Sequence, residues 1–319
     1  MLTIFSTPKP FRGHINVIQR NALQSWKLLH PGVEVILFGD DEGAAEVCRE
    51  FGFRHEPEVL RSRLGTKRLD SIFGRAQQIA KYETICYSNC DIVLTQDFLA
   101  AHQRLAEWNP NHLMVGRRRD TDITEPIDFS DPAWQQHAME IARRDGCLRF
   151  YHNVDYFLFP RGLYKNIPAL VIGRIWWDHW LVGKARALNA AVVDVSSVCT
   201  VIHQNHDYGY HPKGFEGVWN DEDARRNYEL AKADCRLCTI EDAPYRLTEK
   251  GVEKNGTYWA APLKRKVRAV VTKMRTAVRS KIWHPLLDVT RPLRHSVGLK
   301  KDALPDASRS DERKHWMDQ

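Results

Sequence analysis

Short apolar runs alternate with amphipathic segments of helical length through the first 95 residues, an order that few folds accept. Leu2-Thr-Ile-Phe-Ser-Thr7 reads as a buried strand stopped by Pro8 and Pro10. Val17, Ile18, Leu23, Trp26 and Leu29 then fit one face of a helix over about 16–29. Val33 to Phe38 is a second strand, closed by Gly39-Asp40-Asp41, and a helix over about 43–51 follows. A connection from Val59 to Lys67 leads to a third helix, opened by Asp70 as its N-cap, with Ile72, Phe73, Ala76, Ile79 and Ala80 on its inner face. Thr84-Ile-Cys-Tyr87 is a buried strand, and Ile92-Val-Leu94 resumes the apolar run. The order β-α-β-α-loop-α-β predicts an α/β fold with a largely parallel sheet.

The second half is more mixed. His112 to Gly116 and Val154 to Phe159 read as strands flanking a polar insertion and a helix near 132–145. Ile175 to Ala187 is a tryptophan-rich helix, Ala191 to Val195 a strand, Val198 to Ile202 a short extended piece and Asp221 to Ala233 a polar helix. No window of about 18 consecutive apolar residues occurs, so nothing is expected to span a bilayer. Met1 to Pro8 lacks a basic segment leading into an apolar one, so no signal peptide is expected. Seven cysteines without framework spacing read as reduced thiols of a cytosolic protein. Cys235-Arg-Leu-Cys238 has no second pair and is taken as two structural thiols.

Charge is unevenly placed. Of the net +7, residues 262–301 contribute twelve Lys or Arg against the single acid Asp288, leaving the rest mildly acidic. Within that tail Leu263, Val267, Val270, Val271, Met274, Val278 and Ile282 share one helical face, and Arg265, Lys266, Arg268, Lys273, Arg275 and Arg279 lie away from it. A basic amphipathic helix suits an anionic membrane surface, and equally suits packing on a neighbouring domain. Nucleic acid is not expected, because no stacking ladder or reading motif accompanies the charge. The expected organisation is a catalytic domain over 1–260, a basic amphipathic extension over 261–302 and a disordered tail over 303–319.

Three constellations carry chemistry. The strand ending in Tyr87-Ser-Asn-Cys-Asp91 places a carboxylate at the ligand-binding edge of a parallel sheet, where it can hold a divalent cation or cap a turn. Gly173-Arg-Ile-Trp-Trp-Asp-His-Trp180 joins three tryptophans to Asp178 near a helix start. There the carboxylate serves as a base or as a helix cap, and the tryptophans as platforms for sugar rings or as core. His203-Gln-Asn-His-Asp-Tyr-Gly-Tyr-His211 concentrates three histidines after an apolar run, as metal ligands, phosphate contacts or exposed loop residues. Neither G-x-G-x-x-G nor G-x-x-x-x-G-K-[ST] occurs, which removes kinase and classical dinucleotide readings.

Over about residues 2–210 the strands ending in Ser6-Thr-Pro8, Phe38-Gly-Asp40 and Tyr87 to Asp91, with Leu69 to Ala76 between, resemble a GT-A-fold glycosyltransferase. Asn89 stands first in its short Asp-x-Asp motif. The resemblance implies a GT-A-like, Rossmann-type, mostly parallel sheet flanked by helices, with the tail as a helical extension. It implies Thr7 and Asp40 near the nucleoside, Arg75 near the nucleotide sugar, and Asn89 and Asp91 facing metal and diphosphate. Asp178 resembles the general base of inverting members, although Trp177 stands where the commoner form has another acid. His203 would complete the shell of Mn2+ or Mg2+, Arg174 and Trp177 would meet acceptor or sugar, and Asp155 would contact a sugar or merely mark the beginning of a strand. The expected partners are a nucleotide-sugar donor and a glycan or lipid-linked acceptor, met in the cytoplasm or peripherally on the inner face of the membrane. Two other classes stay open: a metal-dependent hydrolase built on the histidines of 203–211, and a noncatalytic carbohydrate- or membrane-binding protein.

Overall fold

The computed structural model describes residues 1–207, 214–256 and 258. The chain divides into two units, Met1–Ala261 and Pro262–Gln319. The second unit lies outside the described residues, and so do the expectations for the basic extension and the tail.

In chain order the first unit runs β1 (Leu2–Ser6), α1 (Gly13–Leu29), β2 (Glu34–Phe38), α2 (Ala44–Phe51), β3 (Arg54–Glu56), α3 (Leu69–Ile79), β4 (Thr84–Ser88), β5 (Ile92–Val93) and α4 (Gln96–Trp108). It continues β6 (His112–Val115), β7 (Arg118–Thr121), α5 (Trp134–Arg144), β8 (Cys147–Leu148), β9 (Tyr156–Pro160), α6 (Trp177–Ala187) and β10 (Ala191–Asp194). Then come β11 (Val201–Gln204), α7 (Gly214–Asn220), α8 (Glu222–Asp234), β12 (Tyr245–Thr248) and β13 (Gly251–Lys254).

A nine-stranded sheet has the order β13-β12-β10-β6-β9-β4-β1-β2-β3. Its strands pair in parallel except β9, antiparallel to both β4 and β6, and the edge strand β13. Alternate residues feed opposite cores, as the period of two requires. Ile36, Phe38, Ile85 and Tyr87 join α3 and α6 on one face through Phe73 and Trp180. Val35, Leu37 and Cys86 join α1 and α4 on the other through Trp26 and Phe98. Both faces are covered, so the strands read as unbroken apolar runs. This is an α/β fold with a mostly parallel sheet flanked by helices.

A second sheet, β5-β11-β7-β8, stands beside the carboxyl end of β4. Its inner pairing puts His203 of β11 opposite Asp120 of β7 on one side and opposite Ile92 of β5 on the other. That register gathers Asp91, His203 and Asp120 at neighbouring positions.

Several local readings change. Asp70 lies inside the first turn of α3, whose N-cap is Arg68, and it holds the Arg68 guanidinium at 2.6 Å. Ile92 belongs to the second sheet instead of extending the first. Asp155 stands immediately before β9. The short strands β3, β7 and β8 and the helix α4 carry no counterpart in the sequence reading.

Candidate functional site

β1, β2 and β4 run parallel, and Thr7, Asp40 and the segment Asn89–Asp91 lie just past their carboxyl ends. β9 runs the other way and begins opposite Ser88, which brings Asp155 to the same edge; the Asn89 amide donates to the Asp155 carbonyl at 2.9 Å. Backbone register alone therefore assembles residues 66 positions apart.

Asp91, His203 and His206 form the one group of potential metal ligands among the described residues, with one ligand atom from each lying within 4.8 Å of the others. Asp91 is 7% exposed and its Oδ1 has no hydrogen-bond partner among the described residues. Its Oδ2 lies 3.1 Å from His206 Nε2 and 3.7 Å from Lys9 Nζ. Lys9 Nζ in turn lies 3.0 Å from the same His206 nitrogen. Burial opposes ionisation of Asp91, but the charge of His203, the bond from His206 and the charge of Lys9 outweigh it and hold the carboxyl well below the usual range. Burial pushes the Lys9 ammonium down, with Asp91 resisting. A carboxylate and two imidazoles, buried and with a carboxylate oxygen unpartnered, suit a divalent cation.

Behind this cluster runs a buried chain of charges. His203 Nδ1 is 3.1 Å from Asp120 Oδ1, within ion-pair range though off the line of an ideal hydrogen bond. The Arg118 Nε donates to Asp120 Oδ1 at 2.8 Å, and its Nη1 lies 2.6 Å from Asp155 Oδ2. Arg118 and Asp120 are two apart on β7, so the pleat sends both side chains to one face. Asp155 Oδ1 accepts from Asn89 Nδ2 at 2.8 Å, and Asn89 Oδ1 accepts from the Tyr87 hydroxyl at 3.1 Å. The Asn89 side chain is thus taken up inside the protein, holding Asp155. Each end of its amide has one protein partner, with one lone pair on Oδ1 and one N–H on Nδ2 beyond those bonds.

Asp178 sits in the first turn of α6 with its side chain 20% exposed. Burial raises its pKa above the ordinary carboxylate value, Asp155 adds to the rise and His179 opposes it. The residue before the helix proper, Trp176, has φ 84°, a left-handed backbone that a bulky side chain rarely adopts. Its ring packs on Tyr228 at 5.1 Å and on His179 at 5.6 Å, which fixes the entry into the turn that presents Asp178.

Other expected site residues are placed elsewhere or differently occupied. Trp177 is 5% exposed and packs edge-on against Tyr87, so it is core and not a sugar platform. Arg174 is paired with Asp221 at 2.7 Å, the N-cap of α8. Arg75 is exposed and pairs with Glu56 of β3 at 2.9 Å; its charge is spent at the outer edge of the sheet. Asp40 is exposed and held by Arg61, while the Thr7 hydroxyl donates to the Phe38 carbonyl at 2.9 Å. His211 lies outside the described residues. Cys235 and Cys238 are free thiols, their pKa values raised by burial. Lys9, Arg118 and Asp120 are the members that sequence reasoning passes over. Their signals are a lysine between two prolines and an Arg-x-Asp spacing legible only if 118–121 is known to be a strand.

No protein-family model and no curated protein matches the chain. Among solved structures it is similar to S. aureus TarS 1–349 in complex with UDP-GlcNAc, at 10% identity and TM-score 0.48, covering 73% of this chain and 66% of that one. It is also similar to the mannosyltransferase PcManGT from Pyrobaculum calidifontis in complex with GDP-Man and Mn2+, at 13% identity and TM-score 0.44, covering 74% and 65%. A third is glucosyl-3-phosphoglycerate synthase from Mycobacterium tuberculosis in complex with Mg2+ and uridine diphosphate, at 12% identity and TM-score 0.45, covering 74% and 79%. The chain spans just under two thirds of the length of the first two.

Proposed function

We propose that this chain is a glycosyltransferase that moves a sugar from a nucleotide-diphosphate donor to a hydroxyl of a glycan or lipid-linked glycan. The observation that carries the reading is the convergence of Asp91, His203 and His206 at the carboxyl edge of the parallel strands, with Asp178 within electrostatic reach of Asp155 at the same edge. Open α/β sheets bind ligands at that edge. Asp91, His203 and His206 would hold Mn2+ or Mg2+, which when bound supplies positive charge against a diphosphate. Thr7 and Asp40, just past β1 and β2, stand where a nucleoside would lie. Asp178 takes the proton of the acceptor hydroxyl at a carboxylate oxygen as that hydroxyl bonds the anomeric carbon and the nucleotide diphosphate leaves. A raised pKa suits it to that task, since a stronger base removes a proton more readily. Among the described residues no helix is long and apolar enough to cross a membrane. Contact with a lipid-linked acceptor is assigned to the segment 262–301, whose basic charge suits an anionic surface.

The test is thermal unfolding of the full chain with UDP, GDP, UDP-GlcNAc or GDP-Man, each with and without MnCl2. One nucleotide series should raise the midpoint, and more so with Mn2+. Asp91→Ala should remove the Mn2+-dependent part in a folded protein. No nucleotide-dependent shift under any condition would overturn the reading.

A further inference from the structure

Asp120 touches no group expected to react, yet the second sheet is arranged around it. The β7–β11 register sets it directly opposite His203, and the period of the strand turns it to the same face as Arg118. Arg118 Nε holds its Oδ1 at 2.8 Å and Arg149 Nε lies 3.1 Å from its Oδ2. Two guanidiniums therefore fix a carboxylate whose side chain is 14% exposed, and that carboxylate lies 3.1 Å from His203 Nδ1. With Nδ1 beside that carboxylate, Nε2 is the nitrogen on the other side of the ring.

We propose that Asp120 is a positioning residue: it selects the tautomer of His203 with the proton on Nδ1 and turns Nε2 toward Asp91 and His206. This rests on the cation reading above. A carboxylate behind a ligand imidazole fixes ring orientation and raises the basicity of the other nitrogen, and its loss typically weakens metal binding 10–100-fold. Arg118 extends the device, because the same guanidinium holds Asp155, and Asp155 holds Asn89. The orientation of His203 is thereby tied to the strand end that carries Asp91.

The test uses the full chain and Mn2+ alone, followed by titration calorimetry, for wild type, Asp120→Asn, His203→Ala and the double variant. Asp120→Asn should weaken Mn2+ about 10–100-fold, and in the His203→Ala background it should change affinity less than about threefold. Long-range proton–nitrogen spectra of the metal-free histidine rings, with His203 assigned by its absence in His203→Ala, should show the Nδ1-protonated tautomer. Asp120→Asn should lose that preference. The spectra also read out the contact if Asp120→Asn is too unstable for titration, because wild type alone then decides between tautomers. Unchanged affinity in Asp120→Asn, an equal loss in both backgrounds, or an Nε2-protonated His203 in wild type would overturn the positioning role alone. Wild type that does not bind Mn2+ would overturn the cation reading, and this role with it.

Discussion

Arg118 offers a direct measurement of how the site is held together. Its side chain is 12% exposed and lies between two carboxylates, Asp155 at 9% and Asp120 at 14%. Burial alone would lower the pKa of its guanidinium, but the charges of Asp155 and Asp120 raise it instead. Arg118→Met keeps most of the stem and removes the charge. Asp120 would still have Arg149 and His203, but Asp155 would keep only the Asn89 amide against its buried charge. Removing one partner of a buried ion pair costs about 3–5 kcal/mol, because the surviving charge stays desolvated. At roughly 2–4 °C per kcal/mol for a unit of this size, the unfolding midpoint should fall by about 6–20 °C.

Arg149→Met is the matched control, since Arg149 pairs with the same Asp120 from a side chain 36% exposed. Solvent screens that pair, and its loss should cost about 0–1 kcal/mol. Urea unfolding followed by circular dichroism measures both. The double variant Arg118→Met/Asp155→Asn removes the stranded charge and should be more stable than Arg118→Met alone. Equal small losses in the two arginine variants, or a double variant less stable than the single one, would refute the assignment of a buried, mutually dependent charge chain.

Two further outcomes concern the reaction and the tail. Asp178→Asn should lower kcat by about 10²–10⁴-fold with donor affinity nearly kept. The raised pKa of Asp178 sets the sign of the pH dependence: the base is lost as pH falls through a value above the ordinary carboxylate range, so wild type should show that acidic limb and the variant should not. Wild-type turnover in Asp178→Asn, or a product with the donor's anomeric configuration, would remove the base. Truncation after Ala261 discards a segment with twelve basic residues against one acid over 262–301. At roughly 1 kcal/mol per basic group near an anionic surface, the full chain should cosediment with phosphatidylserine vesicles and the truncated form should not. Equal binding by both would refute docking through the tail.

What was legible in the sequence follows from which forces leave a periodic trace. β1, β2 and β4 are covered on both faces, so every residue of Val35 to Phe38 is apolar and the strand announces itself. Asp91 is singled out because it stands four positions past Tyr87, the last residue of such a run, where the chain leaves the sheet at its carboxyl edge. β7 left no such trace. Its residues are Arg118-Arg-Asp-Thr121, and the inward pair is an ion pair instead of two aliphatic side chains. A pattern defined by hydrophobicity is blind to a strand whose buried face is held by charge, and that strand fixes His203. The tryptophans of α6 show the opposite failure. Their density left a sugar platform and core packing equally open, and Trp177 and Trp180 face Tyr87 and Tyr164 in the core. Composition reports that large aromatic rings are present, while the side they take depends on how α6 enters. That entry is set by Trp176 in a left-handed conformation, for which no residue in the sequence is a marker. Sequence singles out the carboxylate at Asp178 and the imidazole at His203 as candidates. What orients each of them is a strained turn in one case and a buried charge chain in the other, and both are properties of three-dimensional neighbours.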